Sequence, residues 1–124
     1  MTLGVGILGA GIVSELYAQA IERGAPARVI GVYDPDRARA DALARRLNGR
    51  VFESRDALLS SDEVEASLVL SPNHAHADDA LASLAARKHV LVEKPIAESH
   101  DAIAALATAA RRADRVCMPA HNYM

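Results

Sequence analysis

The chain changes its hydrophobic period again and again. Short runs rich in Val, Ile and Leu alternate with longer segments whose apolar residues recur every three or four positions. Residues 3–8 read as a strand, followed by a helix on which Val13, Leu16, Tyr17 and Ala20 form an apolar stripe. "ARVIGVYD" is the second strand, and the next helix covers residues 36–47, with Asp36 as its cap and Ala40, Leu43 and Leu47 on its inner face. A weak strand at residues 50–52 and a short helix at 57–59 lead into "EASLVLS", whose near-continuous apolarity suits a central strand covered on both faces. A helix carrying Ala77, Ala80, Leu81 and Leu84 precedes the strand "HVLVE". An alanine-rich helix with Ile103, Leu106 and Ala110 then precedes a last strand at residues 115–118. Strand and helix in turn predict an α/β fold, a doubly wound and mostly parallel sheet with its functional groups at the carboxyl ends of the strands.

Composition narrows the class of function. At 124 residues the chain is one domain's worth of sequence, and 51% hydrophobic with 24% charged residues is a globular balance. A net charge of -2 provides no basic field, which argues against nucleic acid as a partner. No stretch approaches the roughly 20 apolar residues needed to span a bilayer, so a soluble protein without a membrane partner is expected. One cysteine, Cys117, cannot form an internal disulfide, and the opening residues have neither a basic region nor a cleavable apolar segment; the expected setting is reducing and cytoplasmic.

Nearly every unusual residue falls just after a predicted strand. In "GILGAGIVS", Gly9 and Gly11 follow the first strand, and Ser14 stands where a dinucleotide fingerprint carries Gly or Ala. Such a turn lets the backbone of Gly9, Ala10, Gly11, Ile12 and Val13, with the amino end of the next helix, approach a pyrophosphate. The register Gly4, Gly6, Gly9 also matches, but it would put the turn inside the strand. Asp34 ends the second strand near the spacing of a carboxylate that accepts from both ribose hydroxyls, which favours NAD; Arg37 and Arg39 nearby keep NADP open. A bare turn cap in "DPDR" is the alternative role for Asp34.

"SPNHAHADD" places Pro72 at the end of the central strand and Asn73 as cap of the following helix, with His74 and His76 as partly exposed histidines. Two apart, these histidines share no helix face, and no Cys or acidic partner completes a ligand set, so no metal is expected. "HVLVEKPIA" ends an apolar run with Glu93 and Lys94 directly before Pro95, at a strand end where a lysine can be held rigidly.

Together the glycine turn, Asp34, "PNHAH", "RKHVLVEKP" and the final "HNYM" resemble, in order and spacing, the NAD(P)-binding half of the glucose-fructose oxidoreductase and inositol dehydrogenase family, Gfo/Idh/MocA. The resemblance runs over essentially all 124 residues. It implies a Rossmann fold over residues 1–124, with Lys94 catalytic, Glu93 orienting it and a cis bond before Pro95. Ser71, Pro72, Asn73, His76, Glu93, Lys94 and Asn122 would join the glycine turn and Asp34 in holding the cofactor. The family's second domain, which supplies sugar or polyol contacts and a surface for homo-oligomers, has no counterpart before Met124. Tyr17 replaces a histidine common among relatives, and Pro119 and Ala120 stand where a small flexible pair is usual.

The expected function is the cofactor half of an NAD-dependent oxidoreductase, moving hydride between nicotinamide and a secondary alcohol or ketone of a sugar, polyol or sugar derivative. A second reading is a non-catalytic dinucleotide-binding sensor or subunit; "EKP" speaks against it. A third, an α/β module that binds nothing, requires every strand-end motif to be incidental.

Overall fold

The computed structural model describes residues 2–120. The elements in chain order are β1 (Leu3–Leu8), α1 (Ser14–Glu22), β2 (Ala27–Tyr33), α2 (Arg37–Arg46), β3 (Arg50–Val51), α3 (Arg55–Leu59) and β4 (Ala66–Val69). A 3-10 turn (Asn73–Ala75), α4 (His76–Ala85), β5 (His89–Glu93), α5 (His100–Ala113) and β6 (Cys117–Ala120) complete it. The six strands form one sheet in the order β3-β2-β1-β4-β5-β6, and every pairing is parallel. The predicted doubly wound sheet is therefore present and wholly parallel, with the expected central strand β4 beside β1.

Side-chain alternation along the strands divides the core into two layers. Val5 and Ile7 of β1, Val29 and Val32 of β2, and Ala66 of β4 pack under Ala18 of α1 and Ala40, Leu43 and Ala44 of α2. On the opposite face Leu8, Ile30, Val69, Val90 and Val92 pack under Leu58 of α3, Ala80 and Leu84 of α4 and Leu106 of α5. Gly6 belongs to this second layer: a Cβ there would lie 2.4 Å from the Leu58 side chain, so β1 carries glycine to let α3 close on the sheet. That packing role, and not the fingerprint, accounts for the competing glycine register. On the first face, α1 and the outer strands β5 and β6 leave an open groove of about 390 Å³ lined by Leu16, Tyr17, Ala20, Leu91, Met118 and Pro119.

That groove explains the largest difference from expectation. The stripe Val13, Leu16 and Ala20 does not face the core: Leu16 is 53% exposed, and α1 buries Ser14 and Ala18 instead. Small residues let α1 lie close to the sheet, where a Leu stripe would hold it off. Ile103 is likewise exposed while α5 buries Leu106 and Ala113. Asp36 caps α2 as expected, accepting from the amides of Ala38 and Arg39. Asn73 does not cap α4, which starts three residues later without a side-chain cap; the preceding 3-10 turn satisfies its own donors, Ala75 N–H bonding Pro72 O at 2.8 Å. The last strand is shifted two residues toward the carboxyl end. Among the described residues no helix is long and apolar enough to cross a membrane.

Candidate functional site

Because all strands run in one direction, the residues after β1, β2, β4 and β5 meet along one edge of the sheet. The glycine turn after β1 shows two glycines with different reasons. Gly9 has φ +108°, and a Cβ on it would sit 2.6 Å from the backbone of Leu70 and Ser71; its amide bonds Tyr33 O at 2.9 Å. The fold itself demands glycine there. Gly11 has no positive φ, and a Cβ would meet nothing within 4 Å. The protein has no need of glycine at position 11, so what the missing side chain preserves is space outside the protein, above the amino end of α1.

The amides of Gly11, Ile12 and Val13 have no acceptor among the described residues, and α1 has no side-chain cap. These are the orphan donors of a helix start, left open where the dipole favours an anion. Ser14 is buried and its hydroxyl donates to Gly11 O at 2.6 Å, which shapes the turn from beneath. Ile12 is 95% exposed beside these amides. The turn fits a group that brings a pyrophosphate.

Asp34, immediately after β2, joins the turn to the neighbouring strand. Its Oδ2 accepts from Ala10 N–H at 2.7 Å and its Oδ1 from Asp36 N–H at 2.7 Å. The turn-cap role is thus real, but it uses one lone pair on each oxygen, and a carboxylate has capacity left for hydroxyl donors. Arg37 is engaged by Glu53 at 3.0 Å and Asp41 at 3.4 Å, and hydrogen bonds to these carboxylates, Glu53 first, raise its pKa. Arg39 lies 3.5 Å from Asp36 and, with Arg46, borders a cavity of about 490 Å³ beside Gly11 and Ile12.

Across the edge, β4 is followed by Ser71, whose hydroxyl donates to Asp79 at 2.6 Å and so turns toward α4. Pro72 and Asn73 are exposed at the start of the 3-10 turn. His74 is exposed, but His76 is only 1% exposed, contrary to expectation: its ring lies between two carbonyl oxygens, 2.8 Å from Pro95 and 2.6 Å from Ser71. The ring is therefore a strut between segments and not a side chain presented to the crevice. At the end of β5, Glu93 is buried while Lys94 is exposed, and the Lys94-Pro95 peptide is cis, as the resemblance implied. Tyr17 O–H donates to Glu93 Oε2 at 2.6 Å. Nothing local in the sequence signals this last contact, since its partners lie 76 positions apart. Asn122, and the "HNYM" segment with it, lies outside the described residues. Burial pushes the Cys117 thiol up, away from thiolate. Among the described residues no group of three or more His, Cys, Asp or Glu side chains is arranged to hold a metal.

A parallel sheet in this strand order, with an open glycine turn at the carboxyl end of β1 and a carboxylate at the end of β2, defines a dinucleotide-binding domain. The model of the Gfo/Idh/MocA oxidoreductase family, NAD-binding Rossmann fold, matches residues 3–121, and the chain belongs to that family. It is 34% identical over 119 residues to a glucose-6-phosphate 3-dehydrogenase of Bacillus subtilis, covering 96% of this chain and 33% of the relative. An inositol 2-dehydrogenase of Rubrobacter xylanophilus is 40% identical over 101 residues, 81% of this chain and 29% of the relative. Among solved structures, GenD2 from gentamicin A biosynthesis in complex with NAD superposes with a TM-score of 0.90 at 30% identity, over 95% of this chain and 34% of that one. The chain thus spans about a third of the length of the curated relatives it matches.

Proposed function

We propose that this NAD-binding domain is the cofactor half of an oxidoreductase acting on a secondary alcohol or ketone of a sugar, polyol or sugar derivative. The observation that carries the proposal is the convergence of three groups on one sheet edge: the open amides at Gly11, the Asp34 carboxylate at the end of β2 and Lys94 at the end of β5. The strands bearing them are neighbours in the order β2-β1-β4-β5, three spacings of about 4.8 Å, or roughly 14 Å from Asp34 to Lys94. A dinucleotide laid across the edge reaches both ends. The substrate class follows from relatives that are dehydrogenases of inositol and of glucose 6-phosphate.

In this reading the amides of Gly11, Ile12 and Val13 hold the pyrophosphate, and Asp34 accepts from the ribose hydroxyls. Asp34 also repels a 2'-phosphate, which makes NAD the preferred cofactor. When bound, the nicotinamide supplies or accepts the hydride. Lys94 Nζ holds the reacting oxygen and gives or takes its proton there, and Glu93, fixed by Tyr17, orients the strand end that presents it. Ser71, Pro72 and Asn73 border the same crevice, and Asn122 joins them in the proposal. The reading extends to a cytoplasmic setting, to assembly through a substrate domain and to the absence of nucleic acid and membrane partners.

Calorimetry on the chain with NAD and with NADP tests the cofactor half of the proposal. Heat and thermal stabilisation with NAD, weaker with NADP, are expected. Folded protein that responds to neither removes the site.

A further inference from the structure

His76 opens α4, yet neither of its ring contacts lies in its own helix: Ser71 follows β4, and Pro95 follows Lys94 at the end of β5. Carbonyl oxygens only accept. The two ring nitrogens face these carbonyls in opposite directions, Nδ1 toward Pro95 O at 2.8 Å and Nε2 toward Ser71 O at 2.6 Å. The charged groups of the joined segments are few. Asp79, three residues along the same helix, accepts from Ser71 Oγ at 2.6 Å and pairs with Arg55 at 3.0 Å. Buried Glu93 accepts from Tyr17, and Lys94 lies between Glu93 and the Pro95 that His76 holds. The ring is sealed from water, so neither tie is easily replaced by solvent.

We propose that His76 is a positioning residue whose ring ties the segment after β4 to the turn after β5, and so holds Lys94 at a fixed place on the sheet edge. The proposal rests on the reading that Lys94 meets the reacting oxygen. Each strand end alone is a short connection with one chain running in and one running out; joined through one rigid ring, the two move as a unit. A displacement of about 1 Å at a reacting group can cost up to about a hundredfold in rate, which is the scale at stake.

The test uses the full-length protein with His76→Leu, which removes both ring nitrogens at similar volume, and His76→Gln, whose side-chain amide keeps a polar group there that can donate to a carbonyl. By hydrogen–deuterium exchange, His76→Leu is expected to speed exchange about tenfold or more in residues 70–75 and 94–98 together, with β1 and β2 unchanged, and His76→Gln to restore much of the protection. Unchanged exchange in either segment, or equal acceleration throughout the sheet, overturns the tie. In turnover, His76→Leu is expected to lower kcat about ten- to a hundredfold when Lys94 is present and less than about twofold in a Lys94→Ala background, because it acts through the lysine. Equal losses in both backgrounds overturn the positioning role. Wild-type turnover by Lys94→Ala alone sinks the reading of Lys94 instead, and the exchange data still decide whether the tie exists. If His76→Leu does not fold, His76→Asn, too short to reach both carbonyls, takes its place.

Discussion

The two sides of the crevice are built by opposite means. On the β1–β2 side the working groups are backbone amides, opened by glycine and braced by one carboxylate, and the parts lie close in sequence or at a regular spacing. On the β4–β5 side, side chains from other elements bond the residues flanking Lys94: buried His76 reaches 19 positions to Pro95, and half-buried Tyr17 reaches 76 positions to Glu93. A recess for phosphate can be made by leaving atoms out. A placed ammonium needs supports, and supports come from wherever the fold brings them.

The sharpest contrast within the first side is between its two glycines. Gly9→Ala should be the most damaging change considered, because it forces a Cβ into the Leu70 backbone at an unfavourable φ; a loss of about 3 kcal/mol or more is expected in chemical denaturation. A protein that keeps its denaturation midpoint would show that the turn relaxes freely. Lys94→Ala, on the second side, should leave NADH affinity nearly unchanged while lowering kcat of the full-length protein about a hundredfold. Full turnover in that variant would make "EKP" a structural turn.

Gly11→Ala is the counterpart of Gly9→Ala and should behave differently. Nothing in the protein contacts the added methyl, so the melting temperature should hold or rise slightly while NAD affinity, measured by calorimetry, falls about tenfold. Affinity that survives the methyl would place the pyrophosphate elsewhere. Asp34→Ser should change the ratio of NAD to NADP affinity by about tenfold toward NADP, through lost ribose bonds and relieved repulsion. A ratio that stays put leaves Asp34 as the brace of Ala10 and Asp36 alone.

The smallest effect lies outside the crevice. Arg46 bonds Glu15 and Glu22, chiefly through hydrogen bonds that hold both carboxylates below their ordinary value of 4.5. A depressed carboxylate contributes stability above its unfolded pKa and loses it as pH falls through the folded one. Arg46→Gln should therefore lower the melting temperature slightly at pH 7, with the difference from wild type vanishing on acidification well below 4.5 and shrinking in high salt. A difference that grows toward acid pH would contradict the assignment.

What could be read beforehand follows from the range of each interaction. Periodicity located β1, β2, β4 and β5, since a buried parallel strand needs an apolar run wherever its neighbours lie, and the half-exposed edge strand β6 only to within two residues. It misjudged α1, because an outward Leu16 and an inward one look the same along a helix until the small residues Ser14 and Ala18 are seen against the sheet. Asn73 looked like a cap because its type suits one, but a 3-10 turn supplied the acceptors first. His76 reads as partly exposed in the sequence because its ring meets backbone carbonyls, which every residue carries and no sequence pattern marks.

The sequence by itself determined the layered α/β order, the place of the glycine turn, Asp34 and Lys94 at strand ends, and with them the family. These depend on local period, on turn chemistry and on residues next to one another. Only the tertiary structure decided which glycine serves the fold and which the open space, which face of α1 is buried, and that Tyr17 and His76 support the strand end bearing Lys94. Such contacts form when parallel strands bring distant segments to one edge, and their partners share no spacing that the chain displays before it folds.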